Sequence, residues 1–149
     1  MAQEATQRTT INAPAEACFS AVVDFEAYPE WANEVKVADV VERDGDGRAT
    51  VVAFQTAAFG RKTSYTLEYE YDEPHRLSWT LVNGDLMRRL DGRYEFVPSV
   101  DREDETDVTY HLEIDLVAPM PGFLKRRAEQ KIMRAALRDL KAYVESRAS

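Results

Sequence analysis

The chain has 149 residues, 44% of them hydrophobic and 31% charged, which predicts one globular domain over residues 1–149 and excludes intrinsic disorder. Its net charge of −8 disfavours nucleic acid as a partner, because phosphate binding draws on clustered positive charge. No apolar stretch approaches the ~20 residues of a membrane-spanning helix, and no signal-like segment opens the chain, so we expect a cytoplasmic protein.

The N-terminal part of the chain predicts one strand followed by two short helices. Residues 4–12 are rich in threonine and indicate a first strand. Pro14 suits the first position of a helix, which then continues with an apolar face. Pro29 disfavours the helical conformation at Tyr28, so the segment up to Trp31 is expected to turn into a second short helix.

From residue 33 to residue 117 the hydrophobic period is two, which predicts about six consecutive strands. The tetrapeptide at 44–47 and the pair Asn83–Gly84 predict hairpin turns. A bulge is expected at Asp91–Gly92. The face predicted to point inward carries Tyr65, Leu67, Tyr69, Trp79, Leu81, Tyr94, Phe96, Tyr110 and Leu112.

One long helix is predicted after Pro121. Its apolar face comprises Ala128, Ile132, Ala136, Leu140, Tyr143 and Val144, and a narrow row on the other side comprises Arg127, Lys131, Arg134, Arg138 and Lys141. From Pro121 onward the charge is +5, while the preceding residues carry −13. The basic row is either a solvated face or a surface for peripheral contact with an anionic membrane or an acidic partner.

These elements predict an α+β helix-grip fold of order β-α-α-β6-α. An antiparallel sheet of this length buries one face, and the last helix is the one element long enough to cover it. We therefore expect a curved sheet of about seven strands wrapped around the C-terminal helix, with an internal hydrophobic cavity.

Two segments near the N-terminus carry a family resemblance. Residues 11–16 leading into Phe19, and the run from Asp24 to Trp31 with its Tyr-Pro-x-Trp motif, resemble the START/SRPBCC helix-grip superfamily. The resemblance is to its bacterial polyketide cyclase/dehydrase and coenzyme Q-binding START-like members, and it extends through Leu90–Tyr94 to the last helix.

The resemblance implies an apolar ligand cavity but no single activity. The leading hypothesis is binding, and in some members transport, of a hydrophobic small molecule such as a lipid, an isoprenoid or quinone, or a polyketide. A polyketide aromatase/cyclase or dehydratase using the same cavity is the alternative. A third alternative is an interaction module with a vestigial cavity.

The chemistry-bearing residues favour binding over catalysis. Cys18 is the single cysteine, which excludes a thiolate metal cluster, and we expect neither a metal nor a cofactor. His75 and His111 are expected to face solvent, as are most carboxylates of the strands. No catalytic residue is assigned, although Arg88 shares the phase of Leu90 and is the catalytic candidate if the protein is an enzyme.

The predicted ligand site is the inward face of the sheet together with the short helices and the last helix. Tyr28 and Trp31 are expected at the mouth, where they either gate the cavity or anchor helix to sheet. Arg88 is expected either to hold a polar ligand group or to extend to the rim. The predicted lining also includes Phe54, Phe123, Leu124, Ala128 and Ile132.

Overall fold

The computed structural model describes residues 3–58, 61–102, 104–117 and 121–148. In chain order the elements are β1 (Gln3–Ile11), α1 (Ala15–Val23), a 3₁₀ turn (Phe25–Ala27), α2 (Tyr28–Trp31), β2 (Val35–Arg43), β3 (Ala49–Ala58), β4 (Arg61–Asp72), β5 (Arg76–Gly84), β6 (Met87–Pro98), β7 (Thr106–Leu116) and α3 (Gly122–Ala148). The predicted α+β architecture is confirmed.

The strands form one antiparallel sheet in the order β1-β7-β6-β5-β4-β3-β2. Strands β2 to β7 follow one another as a six-strand meander. Its last strand, β7, lies beside β1 and pairs with it. The two short helices are inserted between β1 and β2.

Strand β7 shows why the sheet has one dry face. Its side chains alternate between buried and half-buried or exposed over the whole strand, with Val108 and Leu112 almost fully buried. A period of two places alternate residues on opposite faces of a sheet, so one face turns to the core and the other to solvent.

Helix α3 packs against β1, β7 and the two short helices. Met133, Leu137, Leu140 and Val144 form its buried face. Leu140 and Val144 were predicted on the apolar face, whereas Met133 and Leu137 were not, and Ala128, Ile132, Ala136 and Tyr143 of the predicted face are only half-buried. At its C-terminal end, Glu145 accepts the backbone N–H of the residue after β1, Asn12, at 2.9 Å and a hydrogen bond from Lys141 at 2.7 Å. These two hydrogen bonds, that of Lys141 first, lower the pKa of the Glu145 carboxyl.

The first predicted hairpin turn is confirmed between β2 and β3. One carboxylate oxygen of Asp44 accepts the backbone N–H groups of Asp46 and Arg48 at 2.9 and 3.0 Å. Gly47 has φ +83°, a conformation that side chains with a Cβ rarely adopt. The glycine and the aspartate therefore fix this turn locally.

The second predicted turn is wrong. Asn83 and Gly84 remain in β5 and pair with β4, and the chain reverses at the following two residues. Asp85 holds this reversal to β4, since its carboxylate accepts the backbone N–H of Ser64 at 3.1 Å and the hydroxyl of Thr63. A side-chain anchor thus overrides the local turn preference.

The bulge predicted at Asp91–Gly92 is also wrong. Gly92 pairs with Trp79 on β5 in regular register. The irregularity lies at the start of β6, where Met87 and Arg89 face neighbouring residues of β7 and the residue between them is extra.

That irregularity reverses the expected orientation of Arg88. Met87 and Leu90 are buried, whereas Arg88 and Arg89 are exposed. A single extra residue moves a side chain to the other face of a strand. Arg88 therefore lies outside, and the expectation that it points into the interior is corrected.

The backbone ladder between β5 and β6 ends at Gly92. Their ladder runs from the pair Arg76–Glu95 to the pair Trp79–Gly92. Further along β5, the N–H of Leu81 donates to a carboxylate oxygen of Asp91 at 3.0 Å instead of to a strand carbonyl. The carboxylate satisfies a donor that the ladder leaves open.

Gly92 is required by the packing around Trp79. A Cβ at this position would lie 2.5 Å from the carbonyl oxygen of His111 and 2.8 Å from Cζ2 of Trp79. Neither neighbour has room to move freely, because one is backbone in the central sheet and the other is a buried ring.

Gly92→Ala is therefore expected to lower the free energy of unfolding by about 1–3 kcal/mol, the usual cost of overpacking. Urea denaturation followed by circular dichroism measures this loss. Gly45→Ala is the matched control, since no atom lies within 4 Å of its added Cβ. Equal stability of the two variants would contradict the tight approach at Gly92.

Candidate functional site

A cavity of about 520 Å³ lies between the inner face of the sheet, α2 and α3. Its volume is typical of small-molecule sites, roughly 300–1,000 Å³. Of the predicted site residues, those on its wall are Tyr28, Trp31, Phe54, Tyr65, Leu67, Tyr69, Trp79, Tyr94, Tyr110, Leu112 and Ile132. Asn33 and Val117 line the cavity and are exposed, so the cavity reaches the surface near them.

Six predicted site residues lie outside this wall: Leu81, Arg88, Phe96, Phe123, Leu124 and Ala128. Phe96 is fully buried and packs against Phe19 with ring centroids 6.0 Å apart. Phe123 is 63% exposed because the first turns of α3 precede the part of the helix that borders the cavity. For these residues the expected lining role is corrected.

Aromatic rings form one continuous side of the cavity. Trp79 lies 5.4 Å from Tyr94 and 5.9 Å from Tyr110, measured between ring centroids, and the two tyrosines stack at 4.6 Å. Tyr69 continues the series 5.9 Å from Trp79. Aromatic pairs at these distances stabilise one another beyond their burial.

Three tyrosine hydroxyls on this wall have no partner in the described part of the chain. Tyr69, Tyr94 and Tyr110 are over nine-tenths buried, yet their hydroxyls make no hydrogen bond there and are not sealed from the cavity. Burial, above all, raises their pKa values well above the ordinary value. They are therefore neutral hydrogen-bonding groups facing the cavity.

Other tyrosines of the core do have partners. The hydroxyl of Tyr28 donates to the carbonyl of Val22 at 2.5 Å, and that of Tyr71 donates to the carbonyl of Ala49 at 2.7 Å. Lack of a partner is thus not general among the buried tyrosines, and Tyr28 has a partner although it also lines the cavity.

Helix α2 lies over one end of the cavity. Trp31 stacks on Tyr143 of α3 with centroids 5.4 Å apart and planes inclined by 15°, and its other side meets Tyr28 at 4.9 Å. The indole nitrogen of Trp31 is buried without a hydrogen-bond partner among the described residues. The stack positions α2 against α3 and leaves a fourth unused donor, after the three hydroxyls, beside the cavity.

Two carboxylates on the cavity wall were missed by the sequence analysis. Asp139 of α3 accepts the backbone N–H of Asn33 at 3.1 Å. Glu34, next to Asn33, also lines the cavity, and burial and the charge of Asp139 raise its pKa, opposed by Lys131 and two other cations. Asp139 follows Ile132 by seven residues and so lies on the same face of α3. This spacing is the sequence signal that could have identified it.

The remaining ionisable groups of note lie away from the cavity. His111 is on the outer side of β7, with Nε2 2.7 Å from Glu95 and Nδ1 3.3 Å from Glu4. The basic row of α3 is exposed or half-buried on the helix side turned away from the core. In the ranges that the structure covers, no cluster of three or more His, Cys, Asp or Glu residues is placed to hold a metal ion.

None of the described helices is long and apolar enough to cross a membrane. The buried thiol of Cys18 is unreactive, because burial raises its pKa to about 11.

Comparison with solved structures places the fold among known ones. A START superfamily protein from Mycobacterium smegmatis matches with a TM-score of 0.90 and 25% identity over 96% of this chain and 97% of that one. A protein from Thermus thermophilus matches with a TM-score of 0.80 and 27% identity over 99% of this chain and all of the other. The aromatase/cyclase Zhui from Streptomyces sp. R1128 has a TM-score of 0.86 over 100% of this chain and 97% of its own, but at 11% identity it shows the fold alone.

The curated proteins contain no match to the sequence. The family model described as polyketide cyclase/dehydrase and lipid transport matches residues 2–145, which is nearly the whole chain. The superfamily expected from the N-terminal motifs is thereby confirmed, and the chain belongs to the polyketide cyclase/dehydrase and lipid transport family.

Proposed function

We propose that the protein binds one hydrophobic small molecule that carries oxygen atoms, such as a lipid, a quinone or a polyketide, in the cavity between sheet and α3. The observation that carries this proposal is a largely apolar cavity of about 520 Å³ onto which three unpartnered tyrosine hydroxyls open. The match to a family described as including lipid transport supports it.

Burial of apolar surface supplies the affinity. Each 100 Å² removed from water contributes roughly 2.5 kcal/mol before the costs of association. The hydroxyls of Tyr69, Tyr94 and Tyr110 supply orientation, since a ligand oxygen placed among them relieves groups that otherwise lack a partner. The rings of this wall already pack against one another, which keeps the ordering cost of binding low.

The same cavity supports a second function, cyclisation or dehydration of a polyketide. The family description includes cyclases and dehydrases. Glu34 lines the cavity with a raised pKa, which suits a general acid or base, and the tyrosines are neutral donors toward a carbonyl. Arg88 has no part in such chemistry, because it is exposed on the other face of β6.

Native mass spectrometry of the purified protein and titration with Nile red, a neutral apolar dye with a carbonyl acceptor, test the binding proposal. We expect an apolar adduct and saturable dye fluorescence at one site per chain. Absence of both would overturn it. Turnover of a poly-β-ketone substrate that Arg88→Ala leaves unchanged and Glu34→Gln abolishes would favour the cyclase.

Filling the cavity is expected to abolish binding. Ala136 lines the cavity on α3, so Ala136→Trp inserts a large ring where the ligand would lie and should weaken Nile red binding by about tenfold or more. Ala142→Trp is the matched control, since this alanine is exposed on the same helix. Equal dye binding by the two variants would place the dye elsewhere.

Removing the three free hydroxyls is expected to change selectivity rather than folding. The combined variant Tyr69→Phe, Tyr94→Phe and Tyr110→Phe should bind Nile red about fivefold more weakly, since a net hydrogen bond contributes ~1 kcal/mol. Binding of pyrene, a hydrocarbon without oxygen, should be unchanged or tighter. Tyr71→Phe, whose hydroxyl bonds the carbonyl of Ala49, serves as control; the same loss there would contradict the assignment.

A further inference from the structure

The cavity wall has an uneven charge. Apart from tyrosines, the ionisable side chains that line it in the described ranges are Glu34 and Asp139, both acidic. They lie where the α2–β2 connection meets α3, close to exposed Asn33 and therefore to the surface. Lys131, Arg138 and Lys36 act on Glu34 from exposed positions and are not part of the wall.

The two carboxylates have different roles. Asp139 is held by Asn33, which donates its backbone N–H at 3.1 Å and its side-chain amide at 3.4 Å. The Glu34 carboxylate receives no hydrogen bond from a described residue. Glu34 therefore remains available as an acceptor for a ligand, and Asp139 is the neighbouring charge that, after burial, raises the pKa of Glu34.

A second feature of the same cavity points to a ligand there. Tyr110 is 8% exposed, and its hydroxyl faces the cavity without a partner. Glu34 is close enough to this tyrosine to contribute to its raised pKa, after burial and the neighbouring Tyr94 and Tyr65. An acceptor and a neutral hydroxyl thus face the same space.

We propose that Glu34 determines specificity: it selects apolar ligands whose polar end is a hydroxyl or enol donor, and it rejects ligands with an anionic head group. This inference rests on the binding function proposed above and names the ligand class. A hydroxyl donates to the free carboxylate. An anionic head instead meets the charge of Glu34, which has no ion-pair partner among the described residues, and that of Asp139, whose Oδ1 lies 3.6 Å from Nε of Arg138. Like charges repel strongly where water is scarce.

The test compares two ligands with the same ten-carbon chain, 1-decanol and decane-1-sulfonate, as competitors of Nile red. We expect wild-type protein to prefer the alcohol. The sulfonate also loses more hydration than the alcohol on binding, so a preference for the alcohol is not diagnostic by itself. The diagnostic result is the change in this preference when Glu34 is substituted. Glu34→Gln keeps the shape and removes the charge, and it should reduce the preference by about tenfold.

Glu30→Gln is the matched control, since Glu30 is an exposed acid on α2 outside the cavity wall. It should leave the preference unchanged and so exclude a general effect of net charge. An unchanged ratio in Glu34→Gln, or an equal change in Glu30→Gln, would overturn the assignment.

The pH dependence gives an independent measurement on the wild-type protein. Because the pKa of Glu34 is raised above 4.5, lowering the pH from about 8 to about 5 begins to protonate it, which should improve sulfonate binding relative to decanol. Glu34→Gln should lack this change while keeping both histidines. The groups acting on Glu34 are Asp139, Lys131 and Arg138 from α3, and Lys36 from β2.

The outcomes separate the two proposals. If Nile red and both ten-carbon ligands fail to bind, the binding function itself is wrong. If they bind with a ratio that is insensitive to Glu34 and to pH, binding stands and the specificity role of Glu34 is wrong.

Discussion

The packing of α3 against the sheet determines which part of the interior is filled by side chains and which part remains a cavity. Met133, Leu137, Leu140 and Val144 fill the space on one side of the helix and are almost fully buried. Where it lines the cavity, α3 presents Ile132, Ala135, Ala136 and Asp139, of which the two alanines have short side chains. Because protein interiors otherwise pack densely, the cavity follows from side-chain length at a few helix positions.

The tyrosines opposite these alanines are not explained by stability. Phenylalanine at positions 69, 94 and 110 would pack equally well and would avoid burying a hydroxyl without a partner, which costs ~1–3 kcal/mol for each group that stays dry. Departures from the most stable choice concentrate at functional sites. The hydroxyls and the Glu34 carboxylate without a partner therefore support the ligand site proposed above.

Much of the fold could be predicted from the sequence because period-two and helical patterns are strong over long segments. Strand β7 alternates over its whole length, and α3 keeps one apolar face. Of the eleven predicted site residues on the cavity wall, nine lie on the strands and α3 and were found for the same reason. The order of the elements predicted the cavity itself, and the family motif contributed Tyr28 and Trp31.

The site predictions that failed or were missed depend on single residues that the repeating patterns do not identify. Arg88 is the extra residue between Met87 and Arg89, and its side chain lies on the opposite face from the one predicted. No glycine or proline at these positions marks the irregularity in the sequence. Glu34 stands in a connection with no periodicity, so no pattern assigns it a face. Asp139 was detectable, since it interrupts the apolar side of a helix, but its charge placed it by default among the solvated residues.

The end of the β5–β6 ladder at Gly92 also bears on the shape of the cavity. Paired strands are held about 4.8 Å apart, so a fully paired sheet can widen only by gaining a strand. Here the Asp91 carboxylate accepts the N–H of Leu81, and the ladder stops at the pair Trp79–Gly92, with Trp79, Met87 and Leu90 on the cavity wall. The length of such an unpaired stretch is a means of altering capacity in small steps while the number of strands stays at seven.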